Sequence, residues 1–139
     1  MRDDNCIFCK ITSGQIPSYT LYEDDDFKAI MDISPASKGH VILITKEHYK
    51  NLFELDDAVA SRALVKAKKI ATELAKELNF DGFNLLQNNE AIAGQTIFHF
   101  HIHLIPRYKD DSVQFKTTPG SIDEAFAKEL SDKIFNALA

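Results

Sequence analysis

The stretch His99-Phe100-His101-Ile102-His103-Leu104-Ile105-Pro106 decides how this chain is read, because imidazole alternates strictly with bulky apolar side chains. Alternation with period two is the mark of a half-buried β-strand, so positions 99, 101 and 103 share one face, each about 6.7 Å from the next. Phe98, Phe100, Ile102 and Leu104 then fill the other face, and Pro106 stops the strand. Three of the chain's 5 histidines therefore crowd one surface. Imidazole changes charge most readily near neutral pH, so such a face suits anion handling, metal binding or nucleophilic catalysis. The plainer reading is a solvated strand face that happens to carry histidines. Zinc is the chemical rival, although no acidic residue inside the run completes a ligand set.

Working upstream, Gly82 to Gln87 reads as a strand and Asn88 to Gly94 as a polar loop, so the two strands are expected to pair antiparallel across that loop. Before them, Val59, Ala63, Ala67, Ile70, Leu74 and Leu78 recur at three- and four-residue steps, which predicts a helix from Asp56, its N-cap, to Leu78. Val41 to Ile44 is a continuous apolar run suited to a central strand. It follows His40 and the turn-forming segment Ile33-Ser34-Pro35-Ala36-Ser37-Lys38-Gly39. Leu21-Tyr22-Glu23 and Phe27 to Met31 flank the acidic turn Asp24-Asp25-Asp26 as a hairpin. Downstream, Ser121 and Glu124 form a capping-box pattern opening a last helix over about 121–138. The sum is an α+β domain of about five mostly antiparallel strands with one long and one terminal helix.

Composition bounds the rest. With 139 residues and 45% apolar content, one domain spanning 1–139 is expected, its first 20 residues carrying a Cys-x-x-Cys segment. Apolar runs are strand-sized and the N-terminus lacks a signal-peptide pattern, so a soluble cytoplasmic protein with no membrane partner is expected. A net charge of -5 without a Lys/Arg cluster argues against nucleic acid as a partner.

His99 to Ile105 match every position of the signature His-φ-His-φ-His-φ-φ, with φ apolar, and the chain resembles the histidine triad (HIT) superfamily from Cys6 to Arg107. Asp32-Ile33-Ser34-Pro35, Gly39-His40 and Ala93-Gly94-Gln95-Thr96 fall where that resemblance expects them. It implies a nucleotide-binding hydrolase that cleaves at the α-phosphate of purine nucleoside phosphoramidates, or of related nucleoside polyphosphates, through a nucleotidyl-histidine intermediate. His101 is then the nucleophile, His103 donates to phosphate or leaving group, and His40 orients the triad from behind. Independently of the name, a neutral imidazole nitrogen can attack phosphorus, and with an ordinary pKa of about 6.5 most of such a histidine is neutral at pH 7. Around the phosphate the resemblance places Asn88, with Asn89 the turn-stabilising alternative. Gly94 allows close backbone approach, and Gln95 and Thr96 offer amide and hydroxyl donors. Asp32 would accept from ribose hydroxyls or simply cap the Ser34-Pro35 turn. Ile7, Phe8, Ile11, Ile30, Met31 and Ile33 resemble a purine slot, or are ordinary core.

Cys6-Ile7-Phe8-Cys9 alone is a weak motif. Several HIT branches hold a structural zinc with such a pair, and the matching set here is Cys6, Cys9, His48 and His99, a closed tetrahedron of two thiolates and two imidazoles. His99 is then structural, which leaves His101 and His103 for catalysis. A nucleotide-binding regulatory module with incidental turnover, a dinucleoside polyphosphate hydrolase and a strand-borne metallohydrolase are the competing readings. The Leu104-Ile105-Pro106-Arg107 ending resembles members that act on dinucleoside polyphosphates, so Arg107 binds a distal phosphate or pairs with a surface acid. The resemblance also implies a two-fold homodimer, and Leu64, Val65 and Ala71 extend the apolar surface of the long helix beyond one stripe.

Overall fold

A computed structural model describes residues 2–139 of the chain. In chain order the elements are α1 (Ile7–Thr12), β1 (Thr20–Glu23), β2 (Phe27–Met31), β3 (Val41–Thr45), α2 (Asp57–Glu77), β4 (Gly82–Leu86), β5 (His101–Arg107) and α3 (Glu124–Leu138), with a 3-10 turn at Ala91–Ala93. The five strands form one sheet in the order β1-β2-β3-β5-β4, and every pairing is antiparallel. The fold is α+β, and the expected hairpin and central strand both form. Short helix α1, built on the Cys-x-x-Cys segment, has no counterpart in the expected elements. Six residues are too few to carry a periodic signal.

Each strand serves two layers because its side chains alternate. Val41 and Leu43 of β3, with Ile102 and Leu104 of β5, face α2 and join Val59, Ala63, Ala67, Ile70 and Leu74 in the main core. Ile42 and Ile44 face the other way and pack with Phe8, Ile11 and Ile30 beneath α1. The register Ile44↔His101 and Ile42↔His103 puts both strand histidines on this second face. Helix α2 starts as expected, Asp56 accepting from the amides of Ala58 at 2.9 Å and Val59 at 3.1 Å.

Three expectations are corrected. The β5 strand begins at His101, so His99 and Phe100 precede it, and Phe98 is 41% exposed beside Lys50 instead of filling the core face. Pro106 lies inside β5. Pairing with β3 ends at Val41↔Leu104, so the missing amide of Pro106 falls where no ladder partner exists, and its carbonyl accepts from the Ser37 hydroxyl on that same side. Helix α3 is capped by Asp123, which accepts from Phe126 N, and starts at Glu124; Ser121 lies outside it. Among the described residues no helix is long and apolar enough to cross a membrane.

Candidate active site and metal centre

The second face of the sheet carries two adjoining clusters, and β5 and the residues just before it contribute to both. The first is the pair His101 and His103 with His40. His101 is buried and its Nδ1 lies 2.6 Å from the carbonyl oxygen of His99. A carbonyl only accepts, so Nδ1 carries the proton and Nε2 keeps its lone pair. Phe8 sets the ring plane edge-on, with centroids 4.9 Å apart at 87°. Burial pushes the His101 pKa down, against the raising effects of the His99 carbonyl and Asp32, so this imidazole is neutral at pH 7.

The tautomers of His40 and His103 follow from one backbone amide. Ala36 N–H donates to His40 Nδ1 at 3.0 Å, so a neutral His40 bears its proton on Nε2. That Nε2 lies 2.9 Å from His103 Nδ1 and donates to it, which leaves His103 with its own proton on Nε2. Burial lowers the pKa of both, His103 to about 4 with the nearby His101 and His40 adding to the effect, so both rings are neutral near pH 7. The His101 and His103 rings stand 4.9 Å apart and nearly perpendicular. The pair thus presents a bare nitrogen on one ring and an N–H on the next. Gly39, at φ +88, delivers the chain to His40; a Cβ there would run into the Leu78 side chain.

Asp32 belongs to this cluster but is not a proton partner of His40. One carboxylate oxygen accepts Ser34 N–H at 2.8 Å, the turn-capping role, and the other lies 3.6 Å from a His40 nitrogen that already accepts from Ala36. The expected apolar slot separates by burial. Phe8, Ile11 and Ile30 are core residues, Met31 is half-buried, and Ile7 and Ile33 are exposed. In the 88–96 loop, Asn89 is fully engaged, accepting from Leu52 N and Gln87 Nε2. The Asn88 side chain makes only a 3.4 Å contact with the Gly94 carbonyl, so of the two asparagine side chains it is the freer. Gln95 departs from expectation: it is 3% exposed and its side chain bonds Glu90 N, Lys50 O and Ile97 O, a loop brace instead of a phosphate donor. The Gly94 and Gln95 amides are likewise taken up by Ala91 O and Glu90 O, while Thr96 is exposed. Arg107 is held by both oxygens of Asp111, by Asn84 Oδ1 and by Val113 O, the acid-paired reading of that residue.

The second cluster is Cys6, Cys9, His48 and His99, whose donor atoms all lie within 4.8 Å of one another. His99 Nε2 donates to the Thr45 carbonyl at 2.7 Å, so its Nδ1 lone pair points at the sulfurs of Cys6 (3.3 Å) and Cys9 (3.5 Å) and at His48 Nδ1 (3.2 Å). Cys9 Sγ lies 3.3 Å from His48 Nδ1. Zinc bonds of about 2.3 Å to sulfur and about 2.0 Å to nitrogen in a tetrahedron imply edges of about 3.5 Å for S···N and 3.3 Å for N···N. These residues fit a zinc ion. Burial pushes the Cys9 thiol up and the His99 ring down to about 4, so without a cation Cys9 is a thiol facing a neutral His99 ring, and a bound cation would draw out the thiolate. Asp32, His40 and His103 also cluster. Both His40 nitrogens and His103 Nδ1 are committed to Ala36 and to each other, which argues against a metal-ligating catalytic triad.

Sequence reasoning missed Thr45, the Ala36 amide and the His99 carbonyl. Thr45 was within reach through the strand pairing, since it follows Ile44, the partner of His101; the two backbone groups leave no trace in a sequence.

A family model described as the HIT domain matches residues 13–110. The chain is 38% identical over 135 residues to an adenosine 5′-monophosphoramidase of Schizosaccharomyces pombe, covering 94% of this chain and 98% of that protein. A crystal structure from Streptococcus mutans UA159 superposes with a TM-score of 0.91 at 39% identity, over 99% of this chain and 87% of the other. A zinc-bound histidine triad family protein from Mycobacterium smegmatis matches at a TM-score of 0.74 and 34% identity, over 84% of each chain.

Proposed function

The chain belongs to the histidine triad (HIT) family, and from that premise we propose that it hydrolyses purine nucleoside phosphoramidates, or related nucleoside polyphosphates, at the α-phosphate. The carrying observation is the complementary protonation of adjacent rings, a bare Nε2 on His101 beside an N–H on His103. The Nε2 lone pair of His101 attacks the α-phosphorus as the bond to the leaving nitrogen or oxygen breaks and its electron pair departs with that atom. His103 Nε2–H hydrogen-bonds the departing atom or a phosphoryl oxygen. The resulting imidazolium is stabilised where its charge appears, because Nδ1–H already points at the His99 carbonyl. Water then adds to phosphorus, the P–Nε2 bond breaks and its electrons return to the ring. The proton the water gives up to solvent offsets the one the leaving group has taken from it, so the mononucleotide leaves with the elements of water divided between the two products.

Asp32 is the ribose-side carboxylate, Ile33 and Ile7 the accessible apolar surface for a purine, and Asn88 and Thr96 the polar groups nearest the expected phosphate. Zinc on Cys6, Cys9, His48 and His99 would fasten α1 to the sheet; its contribution is structural, since a closed four-ligand set leaves no open position. The test is AMP release from adenosine 5′-phosphoramidate by the wild-type protein beside His101→Ala. Release that disappears in a folded His101→Ala, with an AMP adduct on rapidly quenched wild type, supports the proposal. Tight AMP binding without release favours a nucleotide-binding module instead.

A further inference from the structure

The loop between β2 and β3 carries the amide that fixes the His40 tautomer, and a serine inside it is tied to the histidine strand. The base of the loop is closed by Asp32 N–H, which donates to the His40 carbonyl at 3.0 Å. Ser34, Pro35, Ala36 and Lys38 are exposed, whereas Ser37 between them is buried. A serine in a turn ordinarily bonds backbone close by in sequence. The Ser37 hydroxyl instead donates to the carbonyl of Pro106, 69 residues on, near the end of β5. Its own carbonyl accepts from His40 N–H at 3.2 Å. A second tie reaches the next residue, where the Tyr108 hydroxyl donates to the Lys38 carbonyl at 2.8 Å. Tyr108 is placed in turn by its amide, which donates to Asp111 at 2.8 Å.

Two groups of opposite demand face one nitrogen of His40. Its Nδ1 lies 3.0 Å from Ala36 N–H, which requires a lone pair there, and 3.6 Å from a carboxylate oxygen of Asp32, which would take a proton. The amide prevails by position. When the loop drifts outward, that amide goes to water, since Ala36 is exposed, and Asp32 is left as the partner of Nδ1. His40 then carries its proton on Nδ1, and its Nε2 is bare. Across the 2.9 Å contact His103 Nδ1 must now donate instead of accept, so the His103 proton leaves Nε2 for Nδ1. Each ring keeps one proton, but the N–H beside the bare nitrogen of His101 is gone. We infer that Ser37 is a positioning residue for His103: its hydroxyl, anchored on the Pro106 carbonyl, holds the Ala36 amide on His40 against the pull of Asp32, and so decides which His103 nitrogen carries the proton.

The test reads the ¹⁵N resonances of the His103 ring in the full chain without substrate, for wild type, Ser37→Ala and Ser37→Thr, with AMP release measured beside them. Ser37→Ala should raise the Nδ1–H form of His103 until it equals or exceeds the Nε2–H form. The kcat should fall with the competent fraction, about twofold when the two forms are equal, and KM should stay unchanged. Ser37→Thr keeps the hydroxyl and should keep the wild-type spectrum. A His103 still protonated on Nε2 in folded Ser37→Ala overturns the inference. Equal displacement in Ser37→Thr does the same, because packing and not the hydroxyl would then be the cause. Should Ser37→Ala not fold, Tyr108→Phe frees the same loop from its exposed side; the tautomer should move in the same direction, and an unmoved one counts against Ser37. Only the kinetic effect rests on the hydrolase reading, so a wild type that releases no AMP defeats that reading and leaves the tautomer result to stand or fall alone.

Discussion

Replacing His40 by leucine isolates the group that sets the tautomer of His103 without touching either ring of the His101–His103 pair. The change removes the 2.9 Å bond from His40 Nε2 to His103 Nδ1 and the acceptor of the 3.0 Å bond from Ala36. The first is worth about 1 kcal/mol net. The second costs less, because Ala36 is exposed and water can take its amide. His40 itself is buried, so leucine keeps the apolar packing, and the summed loss of about 1 to 2 kcal/mol lowers Tm by roughly 5 °C. The kinetic effect is separate. Without His40, the His103 proton distributes between its two nitrogens, and in the wrong tautomer Nε2 cannot donate. A tautomer bias of about 1 kcal/mol is roughly a fivefold loss in kcat, whereas His103→Ala removes the donor and should cost roughly 10²- to 10³-fold. The assay is steady-state AMP release, paired with ¹⁵N spectra of the His103 ring. Wild-type turnover in His40→Leu with His103 still protonated on Nε2 would show that something else fixes the tautomer. A variant as inactive as His101→Ala would show that His40 takes part in the chemistry directly.

Four further outcomes are expected. Non-denaturing mass spectrometry of protein purified without chelator should show one zinc per chain, and Cys6→Ser should lower Tm by at least roughly 10 °C; an unchanged Tm and no bound metal sink the zinc site. Activity should persist below pH 6, because burial lowers the pKa of both His101 and His103 and their neutral forms are the working ones; an acid limb centred near 6.5 contradicts this. The same shift has a sign for stability. A folded His103 pKa of about 4 against 6.5 unfolded means that the unfolded chain binds the extra proton, so up to about 3 kcal/mol is lost as pH falls from 6.5 through 4, which chemical unfolding at successive pH values measures. Arg107→Met should leave KM for a dinucleoside polyphosphate unchanged while speeding protease cleavage within 108–115, since the arginine is spent on Asp111, Asn84 and Val113; a raised KM would restore it to phosphate binding.

Much of the fold was legible because the signals were periodic and long. Five α2 positions at helical spacing are the five buried residues of that helix, and alternation in β5 puts Ile102 and Leu104 on one face and the two histidines on the other. Failures fall where a backbone group decides. The period-two pattern extends back to His99, but the chain leaves the ladder there because Phe100 N–H is claimed by Tyr49 O at 2.6 Å. Pro106 reads as a stop only when the neighbouring strand is assumed to continue past it. Gln95 looks like a phosphate donor by position, and only the loop's closure around Glu90 shows its amide to be occupied. The capping box at Ser121 lost to Asp123, a second good cap two residues on, and sequence alone does not rank them.

His99 shows why the two clusters adjoin. Its ring belongs to the cysteine cluster and its carbonyl fixes the proton of His101, the proposed nucleophile, so one residue answers to both. The ring is anchored on its far side by the Thr45 carbonyl and oriented by the cysteine and histidine donors on its near side. With the ring held on both sides, the backbone it grows from is held as well, and the oxygen of that backbone meets His101 Nδ1. A ligand set closed around a metal would therefore hold the nucleophile's tautomer with no atom of its own near the substrate. Loss of that hold should appear first in the His101 ring, as exchange between its tautomers, before the sheet itself opens.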